Sequence, residues 1–143
     1  MAPDSWTRGV EILKSLNPPP NPGPPLPKPF RDMTISHLFG EVWSRPGLEL
    51  REREMITVTT LAALGREAQL RIHLRGALAV GISRETLEEL FLHLAHYAGW
   101  PAGVAACQAL SQVVDELAAE AAAKAADDGG TGAADASGSG SAP

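Results

Sequence analysis

A chain of 143 residues has room for one domain, and its biased flanks leave about ninety residues to fold. Twelve Lys and Arg against seventeen Asp and Glu give a net charge of −5 with no basic stripe, which excludes a nucleic-acid partner. The apolar runs are too short and interrupted for a membrane span, the opening MAPDSW lacks the order of a signal peptide, and the single cysteine, Cys107, excludes an internal disulfide framework.

These exclusions make a cytoplasmic protein the simplest expectation, and so small a core favours oligomerisation. In chain order, residues 1–16 carry a short helix: Trp6, Val10, Leu13 and Leu16 form an apolar stripe that Asp4 or Ser5 can cap. Residues 17–29 are a proline-rich linker, extended because each proline fixes φ and removes an amide donor. A second helix is predicted from Phe30 to Trp43, then a turn at Arg45-Pro46-Gly47. A third runs from Glu49 to Leu64, apolar nearly all round from Met55 to Ala62, with Gly65 as its stop. The fourth spans Arg66 to Val80 and ends at Gly81. Ser83 caps the fifth, with Glu85 in its first turn and an end near Gly99. The sixth starts at Pro101 and continues through an alanine-rich stretch to Lys124. Residues 30–126 thus form an all-α domain, and residues 127–143, without a large apolar side chain, are expected to be a disordered tail.

Several ionisable residues fall among these apolar helices. His73 lies between Leu70 and Leu74; an imidazole there is either a hydrogen-bonded structural group or an acid–base catalyst working near neutrality. Glu54 opens the apolar run of the third helix. It is either an exposed first-turn carboxylate complementing the helix dipole or a carboxylate that orients or recharges His73. Arg53, and next Arg45 in the turn, are candidates for a bidentate clamp on a substrate carboxylate; an ion pair of Arg53 with Glu52 or Glu41 is the structural alternative. His93 and His96 share one helix face at i, i+3, but no carboxylate or cysteine stands at ligand spacing, so no metal is expected.

The pieces FGEVWSRPGL (39–48), RER (51–53), ITVTTLAALGREAQLRIHLRGAL (56–78), the segment Gly81–Leu90 and HYAGWP (96–101) resemble, in order and spacing, the carboxymuconolactone decarboxylase family, and its γ-carboxymuconolactone decarboxylase branch most. The likeness runs from Phe30 to about Leu117. It implies an AhpD-like helical domain of about six helices, assembled as a ring-shaped trimer or hexamer. It also implies removal of carbon dioxide from 4-carboxymuconolactone, a small-molecule carboxylate, to give 3-oxoadipate enol-lactone without metal or organic cofactor. By the same likeness His73, in H-x-R-x-A-L, is the active-site histidine. Glu54 stands where the wider family often has glutamate and the γ branch more often a small polar residue. His96 and Trp100 replace apolar or smaller residues and are expected, with His93 and His37, to line the pocket; Glu54 or His96 would relay the proton. The family's peroxidase branch needs a C-x-x-C pair, and Arg66 and Gln69 occupy those places, which excludes disulfide chemistry there. Two other readings stay open: a different cofactor-free lyase, cyclase or isomerase on the same scaffold, and a non-catalytic helical assembly.

Overall fold

Asp4 accepts a hydrogen bond from the Thr7 amide at 2.8 Å and so starts helix α1, Ser5–Ser15. That amide also holds the Asp4 carboxyl below its ordinary range. In the computed structural model of the chain, residues 3–20 and 24–130 are described, and among them every regular element is a helix. After α1 come α2 (Lys28–Met33), a π-helix (Thr34–Trp43), α3 (Leu50–Ala63), α4 (Glu67–Ala79), α5 (Arg84–Ala98) and α6 (Trp100–Gly130).

The sequence reading joined residues 30–43 into one α-helix, and the structure corrects this. Helix α2 passes directly into ten residues of π-helix. The hydroxyls of Thr34 and Ser36 donate to the carbonyls of Phe30 and Asp32, at 2.8 and 2.6 Å, and the Thr34 amide also donates to the Phe30 carbonyl. The wider π turn that follows is a register that apolar periodicity does not reveal. Helix α1 lies along this segment with the two backbones in contact. A Cβ on Gly9 would stand 2.0 Å from the Ile35 carbonyl oxygen, and one on Gly40 would stand 1.8 Å from that of Ser5. The Arg8 Nε then donates to the Gly40 carbonyl at 3.0 Å.

The remaining helices start and stop close to the predicted points. The Glu49 amide donates to Glu52 Oε2 at 2.7 Å at the head of α3, and Ser83 Oγ accepts from the Thr86 amide at 3.1 Å at the head of α5. Gly65, Gly81 and Gly99, with φ of 64°, 84° and 95°, end α3, α4 and α5 in a conformation that favours glycine. Helices α3 to α6 enclose the main core, in which Val58, Leu74, Leu87, Phe91, Leu110 and Val113 are fully buried. A second, smaller cluster of Leu16, Phe39 and Trp43 joins α1 and the π-helix to this body through Leu50 and Val80.

Two expectations need correction. Helix α3 is not buried on all sides within one chain: Glu54, Val58 and Ala62 form a single buried stripe, while Ile56 is 53% exposed. One small core covers one face of a helix, and the other apolar face of α3 remains open. The predicted tail begins inside α6, which runs on past its alanine-rich stretch to Gly130. Residues 131–143 lie outside the described residues, as do residues 21–23 of the linker. The Arg75 guanidinium clamps the two oxygens of Glu120, at 3.0 and 2.7 Å, and ties α6 to α4 beyond the apolar core.

Two measurements check this account. Leu74→Ala should cost about 2–5 kcal/mol of stability in a urea titration, because a fully buried leucine leaves a cavity. The hydrogen bond from Arg75 holds the Glu120 carboxyl below the usual carboxylate range. A carboxyl lowered on folding adds stability above its unfolded value, ~4.3, and loses that contribution as pH falls through the lowered value. Wild type should therefore be more stable than Glu120→Gln near neutral pH, with the difference vanishing in acid.

Candidate active site

Glu54 sits one turn into α3 and points inward from the same stripe as Val58 and Ala62. Its side chain is 0% exposed, yet among the described residues its only hydrogen-bond partner is His73 on α4, whose Nδ1 lies 3.2 Å from both carboxylate oxygens. A carboxylate can accept about four hydrogen bonds, so one shared donor leaves it far from satisfied. Hydrogen bonding therefore does not account for its burial. The exposed first-turn reading of Glu54 is thereby excluded, and the orienting one matches the geometry.

His73 is 19% exposed. Against an ionised Glu54, which can only accept, Nδ1 is the donor and Nε2 keeps its lone pair; Nε2 has no protein partner among the described residues. The imidazole thus has one nitrogen anchored and one available to a reactant. The Trp43 ring lies 5.8 Å from the His73 ring at an interplanar angle of 33°, and Phe39 in turn lies 5.2 Å from Trp43. The π-helix therefore supplies the aromatic wall of the site.

Gly76 makes the close approach of α3 and α4 possible. A Cβ there would stand 2.7 Å from Glu54 Oε1 and 3.3 Å from the Cβ of Leu16. Sequence reasoning missed Trp43, Gly76 and Leu16. The usable signal for Gly76 was a glycine in the middle of α4, at a cost in helix propensity, one turn after His73.

Trp43 also lines a cleft of about 310 Å³ together with Ile12, Arg45, Pro46 and Leu50. The structure places Arg45 there, exposed at the mouth. Arg53 serves the same turn from below: its Nη2 donates to the Arg45 carbonyl at 2.9 Å, and its buried Nε has no partner. Neither of the expected ion pairs of Arg53, to Glu52 or Glu41, forms.

The other expected pocket residues lie elsewhere in the single chain. His93 lines a groove of about 870 Å³ between α3 and α5, with Met55, Ile56 and Thr59. Trp100 lines one of about 710 Å³ between α5 and α6, with Phe91, Gly103 and Cys107. Burial there raises the Cys107 thiol above its ordinary value, aided by Glu88, so it is a weak nucleophile near neutral pH. His96 is exposed, shares a hydrogen bond with the Leu92 carbonyl at 3.0 Å and meets Trp100 edge-on. His37, also exposed, pairs with Glu41 at 2.7 Å. None of these four touches Glu54 or His73 within one chain. Among the described residues no three His, Cys, Asp or Glu side chains converge as metal ligands do, and no helix is long and apolar enough to cross a membrane.

Residues 29–112 match the carboxymuconolactone decarboxylase family. Over 88 residues the chain is 43% identical to 4-carboxymuconolactone decarboxylase of Acinetobacter baylyi, covering 62% of this chain and 66% of that protein. Over 93 residues it is 27% identical to nitrosuccinic acid decarboxylase of Metarhizium robertsii, covering 65% of each. It is also 32% identical over 66 residues to an uncharacterized 15.0 kDa protein of Paracoccus denitrificans, covering 45% of this chain and 49% of that one. The chain thus spans just under two thirds of the length of the two decarboxylases it matches.

Gly76→Ala tests the packing of the pair. The added Cβ meets the end of a flexible side chain, so the helices should survive while the Glu54 carboxylate swings off Nδ1. Circular dichroism should be unchanged, and a crystal structure of the variant should show a separation beyond hydrogen-bonding range.

Proposed function

The chain belongs to the carboxymuconolactone decarboxylase family, and we propose that it is a cofactor-independent carboxy-lyase that removes carbon dioxide from 4-carboxymuconolactone or a similar unsaturated lactone acid. The observation that carries this reading is the fully buried Glu54 carboxylate directed at His73 Nδ1, with Nε2 left free. Two relatives with different substrates, a lactone acid and a nitro acid, are both named for loss of carbon dioxide, which supports the reaction type more strongly than the substrate.

The chemistry asks for three things. Electrons left behind by carbon dioxide must flow into the unsaturated lactone, the oxygen that receives charge needs a fixed donor, and the carbanion needs a proton. His73 Nε2 presents a proton when the imidazole is charged and accepts one when it is neutral. Glu54 fixes the ring and balances the imidazolium. Trp43 and Phe39 exclude water beside the imidazole, which strengthens the interaction of the charged groups with the reacting centre. Arg45, at the mouth of the adjoining cleft, holds a carboxylate retained by the substrate, and Arg53 braces the Arg45 backbone rather than reaching the substrate itself.

The assembly we propose is a ring-shaped homo-oligomer, a trimer or a hexamer. Its support is the large apolar side chains that one chain leaves open on three helices: Ile56 of α3 is 53%, Tyr97 of α5 81% and Trp100 of α6 60% exposed. In such a ring His93, His96 and Trp100 of one subunit would reach a substrate bound to another, which is the only way they join the site.

Purified protein should release carbon dioxide from 4-carboxymuconolactone at ordinary enzymatic rates. His73→Ala, with the oligomer intact, should lower kcat by about 10²–10⁴-fold, the usual weight of acid–base catalysis. Near wild-type turnover by that variant would remove His73 from the mechanism, and no turnover by wild type would turn the search to other acids that lose carbon dioxide.

A further inference from the structure

Helix α1 precedes the residues that match the family, yet its C-terminal end reaches the catalytic pair. We propose that α1 is part of the active centre and that Leu16 is a positioning residue: it keeps water from the Glu54 carboxylate and thereby holds that carboxylate on His73 Nδ1. The effect on turnover rests on the decarboxylase reading; the effect on His73 itself does not.

Four observations converge. Glu54 is wholly buried although a single donor serves it, so apolar groups, not hydrogen bonds, keep water out. Leu16, 5% exposed, puts its Cβ 3.3 Å from the vacant Cβ position of Gly76, and Glu54 Oε1 lies 2.7 Å from that same point. Leu16 also packs with Phe39 and Trp43, and Trp43 is the ring that faces His73. One turn earlier on the same face, Ile12 lines the cleft that holds Arg45. A single helix face therefore covers the carboxylate and walls the cleft.

The physical role follows from competition. In the presence of water a carboxylate fills its acceptor sites from solvent, and a long 3.2 Å contact to one imidazole nitrogen is readily lost. Without water the same contact is the only one available and is strengthened by the low local dielectric. The close backbone crossing of Gly9 and Gly40, with Arg8 bonded to the Gly40 carbonyl, fixes the helix that carries Leu16.

The test uses the full chain with ¹⁵N-labelled histidine. In wild type the nitrogen shifts of His73 should report the Nδ1–H tautomer. Leu16→Ala should move them toward the Nε2–H form favoured in water, while Leu16→Met, of similar volume, should restore the wild-type shifts. Given the decarboxylase activity, Leu16→Ala should lower kcat by about 10²-fold with KM little changed, as expected for a misplaced catalytic group. If Leu16→Ala does not fold, Leu16→Val, one methylene smaller, carries the same measurement in the same direction. Folded Leu16→Ala or Leu16→Val with wild-type His73 shifts overturns the proposal, as does a wild type already in the Nε2–H form. A tautomer shift in a protein that releases no carbon dioxide upholds the role of Leu16 and refutes the decarboxylase reading instead.

Discussion

The structure turns on a carboxylate that is out of reach of water and has one donor. Desolvating Glu54 costs free energy that the long contact to His73 does not return. The surrounding body must supply the difference, and its arrangement shows how. Val58 and Ala62 place Glu54 on the inward stripe of α3, the glycine at 76 lets α4 come close enough for His73 to face it, and aromatic side chains of the π-helix close the remaining side. Take away the burial and the pair becomes an ordinary surface contact, with little hold on the imidazole.

The two apolar clusters have different tasks. The larger one, from α3 to α6, is built from Leu, Val, Ala and Phe and makes the scaffold rigid. The smaller one is mostly aromatic and lies over the reactive end of that scaffold. Its members come from α1 and the π-helix, elements whose backbones meet without side chains between them. The site therefore combines a precise floor with a cover assembled from a distant part of the chain.

Much of this was legible from the residues. Caps at Asp4 and Ser83 and stops at Gly65, Gly81 and Gly99 gave the helix ends because each has a local cause. His73 and Glu54 stood out as ionisable groups among apolar neighbours, and they do meet. The π-helix was not legible, because apolar spacing describes only the face that packs, and the close backbone crossing of Gly9 and Gly40 leaves no mark in it. The place of α1 was not legible either: its stripe identified a packing face and said nothing of what it would pack against. Arg53 illustrates a third kind of gap. Its charge suggested a ligand for a substrate carboxylate, and in the single chain its Nη2 donates to the Arg45 carbonyl of the turn. In the single chain His37, His93, His96 and Trp100 lie apart from the Glu54–His73 pair.

The crossing of Gly9 and Gly40 also bears on the order in which the molecule comes together. Helix α1 is the first described element in the chain, but it contributes little until the π-helix exists for it to rest on. The scaffold of α3 to α6 is joined by short turns and can form from near neighbours, whereas docking α1 closes a longer loop across the proline-rich linker. Proline shortens the conformational search of that linker, because each ring removes freedom that docking would otherwise have to remove. In native-state hydrogen exchange such an element opens at a lower free energy than the body beneath it. Heat would then release α1 from the body while most of the protein is still folded.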